Sequence, residues 1–112
     1  MSHFSIALIT GLAFVVYAKD DGFAAGNVAA GRQKALMCQT CHGLDGKAKI
    51  PEAPNLAGQS SAYLVKALND YRSGARKNDM MSLVAPTLKD TDVEDLAAYY
   101  SAIEVTVGAP PK

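Results

Sequence analysis

The sequence predicts a small all-α domain, and three observations support this. Apolar residues recur at helical spacing in three stretches, Ala-rich segments are frequent, and runs of β-branched residues are few. The chain has 112 residues, which is the length of a single domain. Its eleven Lys and Arg balance eleven Asp and Glu, so its charge gives no reason to expect a nucleic-acid partner.

The first eighteen residues have the pattern of an export signal. Their apolar run from Phe4 to Ala18 is too short to favour a membrane-spanning helix, and it stops abruptly at three charged residues. We predict a signal peptide over residues 1–18, cleaved after Ala18, and a mature domain over residues 19–112. Because no Lys or Arg precedes the run, an uncleaved N-terminal anchor stays open, and membrane contact is expected only in that case.

The first predicted helix of the mature domain follows the cap residue Asn27 and runs to about Gln39. Gly31 inside it indicates either a close crossing by another helix or a tolerated surface position. The residues expected to face inward are Val28, Ala29, Ala35 and Leu36. A loop over residues 43–59, with three Gly and two Pro, separates this helix from the next one.

Two further helices are predicted after the loop. One begins at Ser60 or Ser61 and stops at Gly74, and the last begins at a capping box formed by Thr91 and Glu94. The apolar face of the middle helix consists of Tyr63, Leu64, Ala67, Leu68 and Tyr71. That of the last helix consists of Val93, Leu96, Ala97, Tyr100 and Ile103.

Both cysteines of the chain and one of its two histidines lie in the segment CQTCH, residues 38–42. A disulfide between Cys38 and Cys41 would close a very short loop and stabilise little. A thioredoxin-like pair would follow a strand, and zinc needs four ligands, whereas the mature chain has no further Cys or His. The spacing favours covalent haem, because thiols one helical turn apart can add to both vinyl groups along one porphyrin edge while His42 ligates the iron.

The sixth iron position is either open or filled by methionine, because no other histidine remains in the mature chain. Met37 adjoins the attachment motif and is too near it to cross to the other face of the ring. Met80 and Met81 lie in a polar stretch predicted to be non-helical, where a loop could bring one of them to that face. The alternative is that both are ordinary core residues.

Four segments, in this order, resemble the class I c-type cytochromes, specifically the small bacterial monohaem carriers and the half-domains of dihaem cytochromes. They are GNVAAGRQKALMCQTCHGLDG, PNLAGQ, YLVKALNDYRSGARKNDMM and LKDTDVEDLAAYY. The resemblance implies the all-α class I cytochrome c fold, with three to five helices around one covalently attached haem c. It also implies a crossing of the first and last helices at Gly31 and Tyr99.

The resemblance further implies roles for individual residues. The axial methionine of this family lies seven residues before the Leu that precedes the last helix; with Leu88 in that place, it is Met81. The Pro54 carbonyl is implied to accept the Nδ1 proton of His42 and so to orient the ring. The residues implied to line the haem pocket, or the helix packed against it, are Tyr63, Leu68 and Tyr71.

An iron with one His and one Met ligand has no open position for a substrate and suits one-electron transfer. We therefore expect a periplasmic electron carrier and not an enzyme, with redox partners such as a dehydrogenase, an oxidoreductase complex or a terminal oxidase. The alternative is a haem sensor or haem enzyme with an open sixth site. Lys47, Lys49, Arg76 and Lys77 are either a positive rim that steers an acidic partner or scattered solubilising charge.

Overall fold

The computed structural model describes residues 26–112, in which every regular element is a helix. The predicted signal peptide, residues 1–18, lies outside the described residues. The five α-helices are α1 (Val28–Lys34), α2 (Gln39–His42), α3 (Ser61–Ser73), α4 (Met81–Val84) and α5 (Asp90–Ser101), with 3-10 turns at Ala35–Met37 and Ala85–Thr87. Within the described part of the chain, no helix is long and apolar enough to cross a membrane.

Helix α1 begins where the sequence predicts. The side chain of Asn27 accepts a hydrogen bond from the Ala30 amide at 2.8 Å and caps the helix. The prediction that this helix continues to Gln39 is wrong, because the chain first tightens into a 3-10 turn. There the Cys38 amide donates to the Ala35 carbonyl at 2.9 Å, three residues back instead of four.

Helices α1 and α5 approach most closely at Gly31, which is buried. A Cβ atom built on Gly31 would overlap the Asp95 carbonyl group and lie 2.7 Å from the Cβ of Tyr99. Because only glycine lacks this atom, only glycine allows the two backbones to come so near. Gly31 therefore lies at a close crossing of two helices and not at a tolerated surface position.

The crossing also decides which face of α1 is buried. Ala35 is fully buried, whereas Val28 and Leu36 are 47% and 46% exposed, and Ala29 is exposed as well. The prediction that these three residues face inward is wrong. The reason is that the side of this segment that meets α5 carries Gly31 of α1 and Ala35 of the 3-10 turn that follows it.

Helix α3 has the predicted ends. The Ser60 hydroxyl accepts a hydrogen bond from the Tyr63 amide at 3.4 Å, and Gly74 ends the helix with a φ of 82°, in the left-handed region that glycine tolerates. The buried residues of α3 are Leu64 and Val65. Tyr63, although predicted on the apolar face, is 48% exposed.

Helix α5 begins earlier than predicted, and the capping box of Thr91 and Glu94 is wrong. The helix starts at Asp90, and the Asp92 carboxylate accepts a hydrogen bond from the Lys89 amide at 2.9 Å. An ion pair with a lysine of α1 holds the same carboxylate. Tertiary packing therefore selects which of the acidic residues in this segment caps the helix.

One apolar cluster forms the core between α3 and α5. Its buried members are Ala35, Leu64, Val65, Leu88, Val93, Leu96, Ala97 and Tyr100. Four of them are predicted inward-facing residues of α5, and each of these four is at most 3% exposed, which confirms the pattern read for that helix. The core thus fixes α5 as the central element on which the other helices pack.

Candidate haem-binding site

A cavity of about 670 Å³ lies between the CQTCH segment, helix α3 and the residues that precede α4. This volume falls within the roughly 300–1,000 Å³ range of small-molecule and cofactor sites. The three side chains of the motif, Cys38, Cys41 and His42, line the cavity together with Met80 and Met81. Attachment residues and both candidate methionines thus border the same space.

The imidazole ring of His42 is oriented by its surroundings. It is buried, with 8% of its surface exposed, and its Nδ1 lies 3.0 Å from the carbonyl oxygen of Pro54. A carbonyl oxygen can only accept, so Nδ1 is the donor in this contact and Nε2 is the ring nitrogen left to bind a metal. A neutral imidazole with a lone pair on one nitrogen and a hydrogen bond on the other is the form in which histidine ligates metals.

The loop after the motif is fastened to helix α5 by two adjacent tyrosines. The Tyr99 hydroxyl donates to the Leu44 carbonyl at 2.6 Å, and the Tyr100 hydroxyl donates to the Gly43 carbonyl at 3.1 Å. Burial raises the pKa of Tyr100, so its hydroxyl stays protonated and able to donate. Because Gly43 follows His42 directly, these bonds restrain the backbone that carries the imidazole.

Cys38 and Cys41 are not joined by a disulfide. Burial, and secondly the nearby Cys41, raise the pKa of Cys38 to about 11. The site therefore disfavours a charged thiolate and suits the uncharged sulfur of a thioether. Within residues 26–112, no three His, Cys, Asp or Glu side chains are grouped so that they could hold a metal ion by themselves.

The two methionines differ in burial although both line the cavity. Met81 is the first residue of α4, so the prediction of a non-helical position is wrong for it. The Asn78 side chain accepts hydrogen bonds from the amides of Met80 and Met81 at 3.1 and 3.0 Å, which starts this helical turn. Met80 is 58% exposed, whereas Met81 is only partly exposed.

The remaining predicted site residues are not all at the cavity. Pro54, Leu68 and Tyr71 line it, whereas Tyr63 does not. The hydroxyl of Tyr63 instead accepts a hydrogen bond from Arg76 at 3.3 Å. Arg76 lines the cavity, whereas the sequence indicates it only as one of four cations considered for a positive rim, because it follows the end of α3 and no helical periodicity applies there. Its one sequence signal is its place between α3 and the methionines.

A family model of cytochrome c matches residues 28–103. The chain belongs to the cytochrome c family. It is 42% identical over 85 residues to cytochrome c4 of Pseudomonas aeruginosa, in an alignment that covers 76% of this chain and 42% of that protein. It is 46% identical over 83 residues to cytochrome c-554(548) of Halomonas halodenitrificans, which covers 71% of this chain and 100% of that protein.

The fold is also similar to the crystal structure of reduced recombinant cytochrome c4 from Pseudomonas stutzeri. The TM-score is 0.68 at 40% identity, and the match covers 75% of this chain and 49% of that chain. The chain thus spans about half the length of the cytochrome c4 relatives that it matches. The all-α class I cytochrome c fold is confirmed. Members of this family carry covalently attached haem c and transfer electrons, and the single C-x-x-C-H motif corresponds to one haem in this domain.

The residues around the cavity fit a haem c group. The motif supplies two thiols, of which Cys38 lies in surroundings that favour uncharged sulfur, and an imidazole whose Nδ1 is taken by the Pro54 carbonyl, so that Nε2 is left for the iron. Apolar side chains of the core, Leu64, Leu96 and Ala97, also line the cavity and suit the apolar faces of a porphyrin. The donor atoms of the motif, the volume of the cavity and its apolar lining are therefore all compatible with haem c.

Proposed function

We propose that this protein carries single electrons between redox proteins, with the iron of its haem held by His42 and Met81. The observation that carries this proposal is the hydrogen bond of 3.0 Å between His42 Nδ1 and the Pro54 carbonyl, beside a cavity that Met81 also lines. When bound, haem supplies an iron centre that takes up and releases one electron. The residues described here hold its ligands and cover its faces.

His42 acts as the ligand on the side of the attachment motif. The Pro54 carbonyl keeps the ring proton on Nδ1, orients the ring and raises the basicity of Nε2. Leu68 and Tyr71 of α3 cover the cavity from another side. His42 itself is only 8% exposed, and such an enclosed, oriented imidazole is the arrangement expected of a metal ligand.

Met81 acts as the ligand on the opposite side. Its partial burial, compared with the 58% exposure of Met80, supports Met81 over its neighbour, and so does its position at the start of the turn that Asn78 caps. A thioether ligand favours the reduced iron and raises the potential relative to two histidines. With His42 and Met81 as its two protein ligands, the bound iron would have no position left for a substrate.

We propose no catalytic residue for this chain. The carboxylates at the start of α5 are already engaged in ion pairs: Asp92 and Asp95 with Lys34, and Asp90 with Arg72 at 2.7 Å. Each therefore has a structural role that accounts for its presence. Carboxylates committed in this way are poor general acids or bases.

We also propose that residues 1–18 direct export and that the domain over residues 19–112 works in the periplasm. Covalent attachment of haem needs reduced thiols and haem on the far side of the membrane, and the apolar run of residues 4–18 supplies a route there. An N-terminal segment that is kept would tether the same domain to the membrane surface.

Partner docking is proposed to rely on more than positive charge. The charged residues that line the cavity have both signs, namely Glu52, Arg76 and Asp79. Lys49, one of the residues considered for a positive rim, pairs with Asp45 at 3.0 Å. This pairing favours the reading of the lysines as scattered solubilising charge, and we propose redox partners without a strongly acidic docking face.

The proposed ligand pair is tested by the optical spectrum of the ferric holoprotein. The weak near-infrared band that marks a methionine sulfur on ferric haem is expected in the wild type, unchanged in Met80→Ala and lost in Met81→Ala. Met80→Ala is the matched control, because it removes the adjacent thioether from the same cavity.

Three outcomes would contradict the proposal in different ways. Loss of the band in Met80→Ala, with the band kept in Met81→Ala, would move the ligand to Met80. Absence of the band in the wild type, together with ready binding of carbon monoxide to the reduced protein, would indicate an open sixth site and a haem sensor or enzyme. Failure of the wild type to cycle reversibly between its ferric and ferrous forms would reject an electron carrier.

A further inference from the structure

A second pocket, of about 470 Å³, lies beside the haem cavity. It is formed by the end of helix α3, by the residues that precede α4, and by residues of α4 and of the 3-10 turn that follows it. Tyr71, Asn78 and Asp79 line both spaces. The second pocket therefore shares a wall with the haem cavity, and that wall belongs in part to the segment that carries both candidate methionines.

The lining of the second pocket differs in chemistry from that of the haem cavity. Apart from Tyr71, Gly74 and Pro86, every residue that lines it has a charged side chain, an amide or a hydroxyl group. The haem cavity, in contrast, is bordered by core leucines such as Leu64 and Leu96. A pocket with so few apolar side chains suits a small polar ligand and not an extension of the porphyrin.

The charge of the second pocket favours an anion. Lys77 lines it, and within residues 26–112 the ammonium group of Lys77 forms no ion pair. The other cation of the lining, Arg72, is held at 2.7 Å by Asp90, which lies outside the pocket. Asp79 is the one acidic side chain among the described residues of the lining. A lysine without a carboxylate partner is a common binding group for phosphate, because it offers a compact positive charge and three donors.

Asn78 and Ser82 add hydrogen-bond donors to this charge. The side-chain oxygen of Asn78 accepts the amides of Met80 and Met81, which leaves the NH₂ group of that side chain to donate. The Ser82 hydroxyl oxygen accepts the Asn78 amide at 3.0 Å, which leaves its own hydrogen to donate. Donors on separate parts of the backbone match a ligand with several acceptor oxygens, and a phosphate group has this property.

We propose that the second pocket binds a phosphate group, with Lys77 as its charge partner and Asn78 and Ser82 as its donors, and that the bound phosphate stabilises residues 75–84. Asn78 and Ser82 are also the residues that hold the turn at Met81, so local opening of this turn releases the ligand. A ligand that binds only the closed segment therefore keeps it closed. Binding itself is independent of the proposed function, whereas its effect on the iron ligand rests on Met81 being that ligand.

Binding is tested by titrating the reduced holoprotein with inorganic phosphate and, separately, with glycerol phosphate, while the backbone amide chemical shifts are followed by NMR. Saturable shifts are expected at Lys77, Asn78 and Ser82, and none with chloride at the same ionic strength. Lys77→Gln should weaken binding by roughly tenfold, because it removes a charged hydrogen-bond partner. Asp79→Asn should instead tighten binding, because it removes the negative charge that repels the ligand. The tighter of the two ligands identifies the source, a free anion or an organic ester.

The effect on residues 75–84 is tested by urea denaturation of the ferric holoprotein. With saturating phosphate, the near-infrared band should vanish at a higher urea concentration than in chloride of equal ionic strength. Phosphate also stabilises proteins in general by exclusion from their surface, so the specific part is the difference between the wild type and Lys77→Gln. Lys47→Gln is the matched control, because Lys47 also forms no ion pair within residues 26–112 and lines neither space. It should behave as the wild type in both measurements.

Shifts that do not saturate, or that are equal in the wild type and Lys77→Gln, would overturn the proposed site. Saturable binding that leaves the urea dependence of the band the same in the wild type and Lys77→Gln would overturn its stabilising effect on residues 75–84. Failure of the proposed function looks different. A wild type without the near-infrared band would reject Met81 as the iron ligand, whereas the chemical shifts would still report whether phosphate binds.

Discussion

The proximal loop, residues 43–59, and the methionine segment, residues 75–84, border the same cavity but are held in different ways. Helix α5 reaches across to the proximal loop through the hydroxyls of Tyr99 and Tyr100, and the Gly58 amide donates back to the Tyr100 carbonyl at 3.0 Å. These bonds join parts of the chain that are far apart in sequence. The proximal loop can therefore open only if it separates from the core helix.

The backbone of the methionine segment is held by short-range bonds. The Asn78 amide donates to the Ser82 hydroxyl at 3.0 Å, and the Asn78 side chain accepts the amides of Met80 and Met81. The helix that follows, α4, is a single turn, which is marginal without tertiary support. Opening of the proximal loop is therefore coupled to global unfolding, whereas the methionine segment can open locally.

The largest expected effect comes from breaking the attachment of α1 to α5. Gly31→Ala places a Cβ against the Asp95 backbone and should lower the free energy of unfolding by about 3 kcal/mol, since it pushes away the helix that holds the proximal loop. Urea denaturation of the holoprotein measures it. Gly108→Ala is the matched control, because nothing lies within 4 Å of its new Cβ. Equal stability of the two variants would show that the crossing is not needed.

Tyr100→Phe tests the proximal loop itself. It leaves the buried Gly43 carbonyl without its donor and should lower the free energy of unfolding by about 1–2 kcal/mol. The near-infrared band and the helical circular dichroism should disappear together in urea, because this loop is coupled to the core. Tyr63→Phe loses only an exposed bond and should change stability by less than about 0.5 kcal/mol. A band lost well before the helices in Tyr100→Phe would contradict this coupling.

Asn78→Ala tests the methionine segment. Loss of the cap on the turn that begins at Met81 should cost about 1 kcal/mol locally, so the near-infrared band should vanish at a lower urea concentration than the helical signal. Asn69→Ala is the control, because Asn69 makes a single exposed side-chain hydrogen bond, to Arg72 on the same helix. Coincident loss of both signals in Asn78→Ala would show that the two regions do not differ as described.

The smallest effect concerns the ion pairs between α1 and α5. Hydrogen bonds from Lys34 lower the pKa values of Asp92 and Asp95, so their contribution to stability is present above the ordinary carboxyl pKa of about 3.9 and is lost as the pH falls through the lowered values. Lys34→Met should therefore be less stable than the wild type at pH 7, with a difference that shrinks below pH 4. Urea midpoints at both pH values measure this. A difference that grows on acidification would have the wrong sign for this pairing.

Much of the fold could be predicted because its strongest signals are local. The caps at Asn27, Ser60 and Gly74 act within one turn of the backbone, and the apolar period of α5 is regular over its whole length. The buried face of α1 could not be predicted, because a glycine contact buries Gly31 and Ala35 and exposes larger apolar residues. Where two helix backbones are in contact, the size of an apolar side chain does not indicate whether it is buried.

The candidate site likewise contains some residues that the sequence identifies and others that it does not. Cys38, Cys41 and His42 lie within five residues, so the attachment motif can be recognised from the sequence without knowledge of the fold. The sequence indicates Arg76 only as a candidate rim charge, and its contacts with Tyr63 and Tyr71 and its place at the cavity depend on the folded chain. The choice between Met80 and Met81 likewise depends on their burial, which the sequence of two adjacent methionines does not indicate.

The attachment motif, the helical character of the domain, the start of α1 and both ends of α3 follow from the sequence alone. These properties depend on covalent spacing and on hydrogen bonds within a single turn. Only the tertiary structure decided that the Pro54 carbonyl meets His42, that the less exposed methionine is Met81 and that Arg76 borders the cavity. Those contacts join segments that are separate along the chain, and the packing of α3 and α5 in one core brings them together.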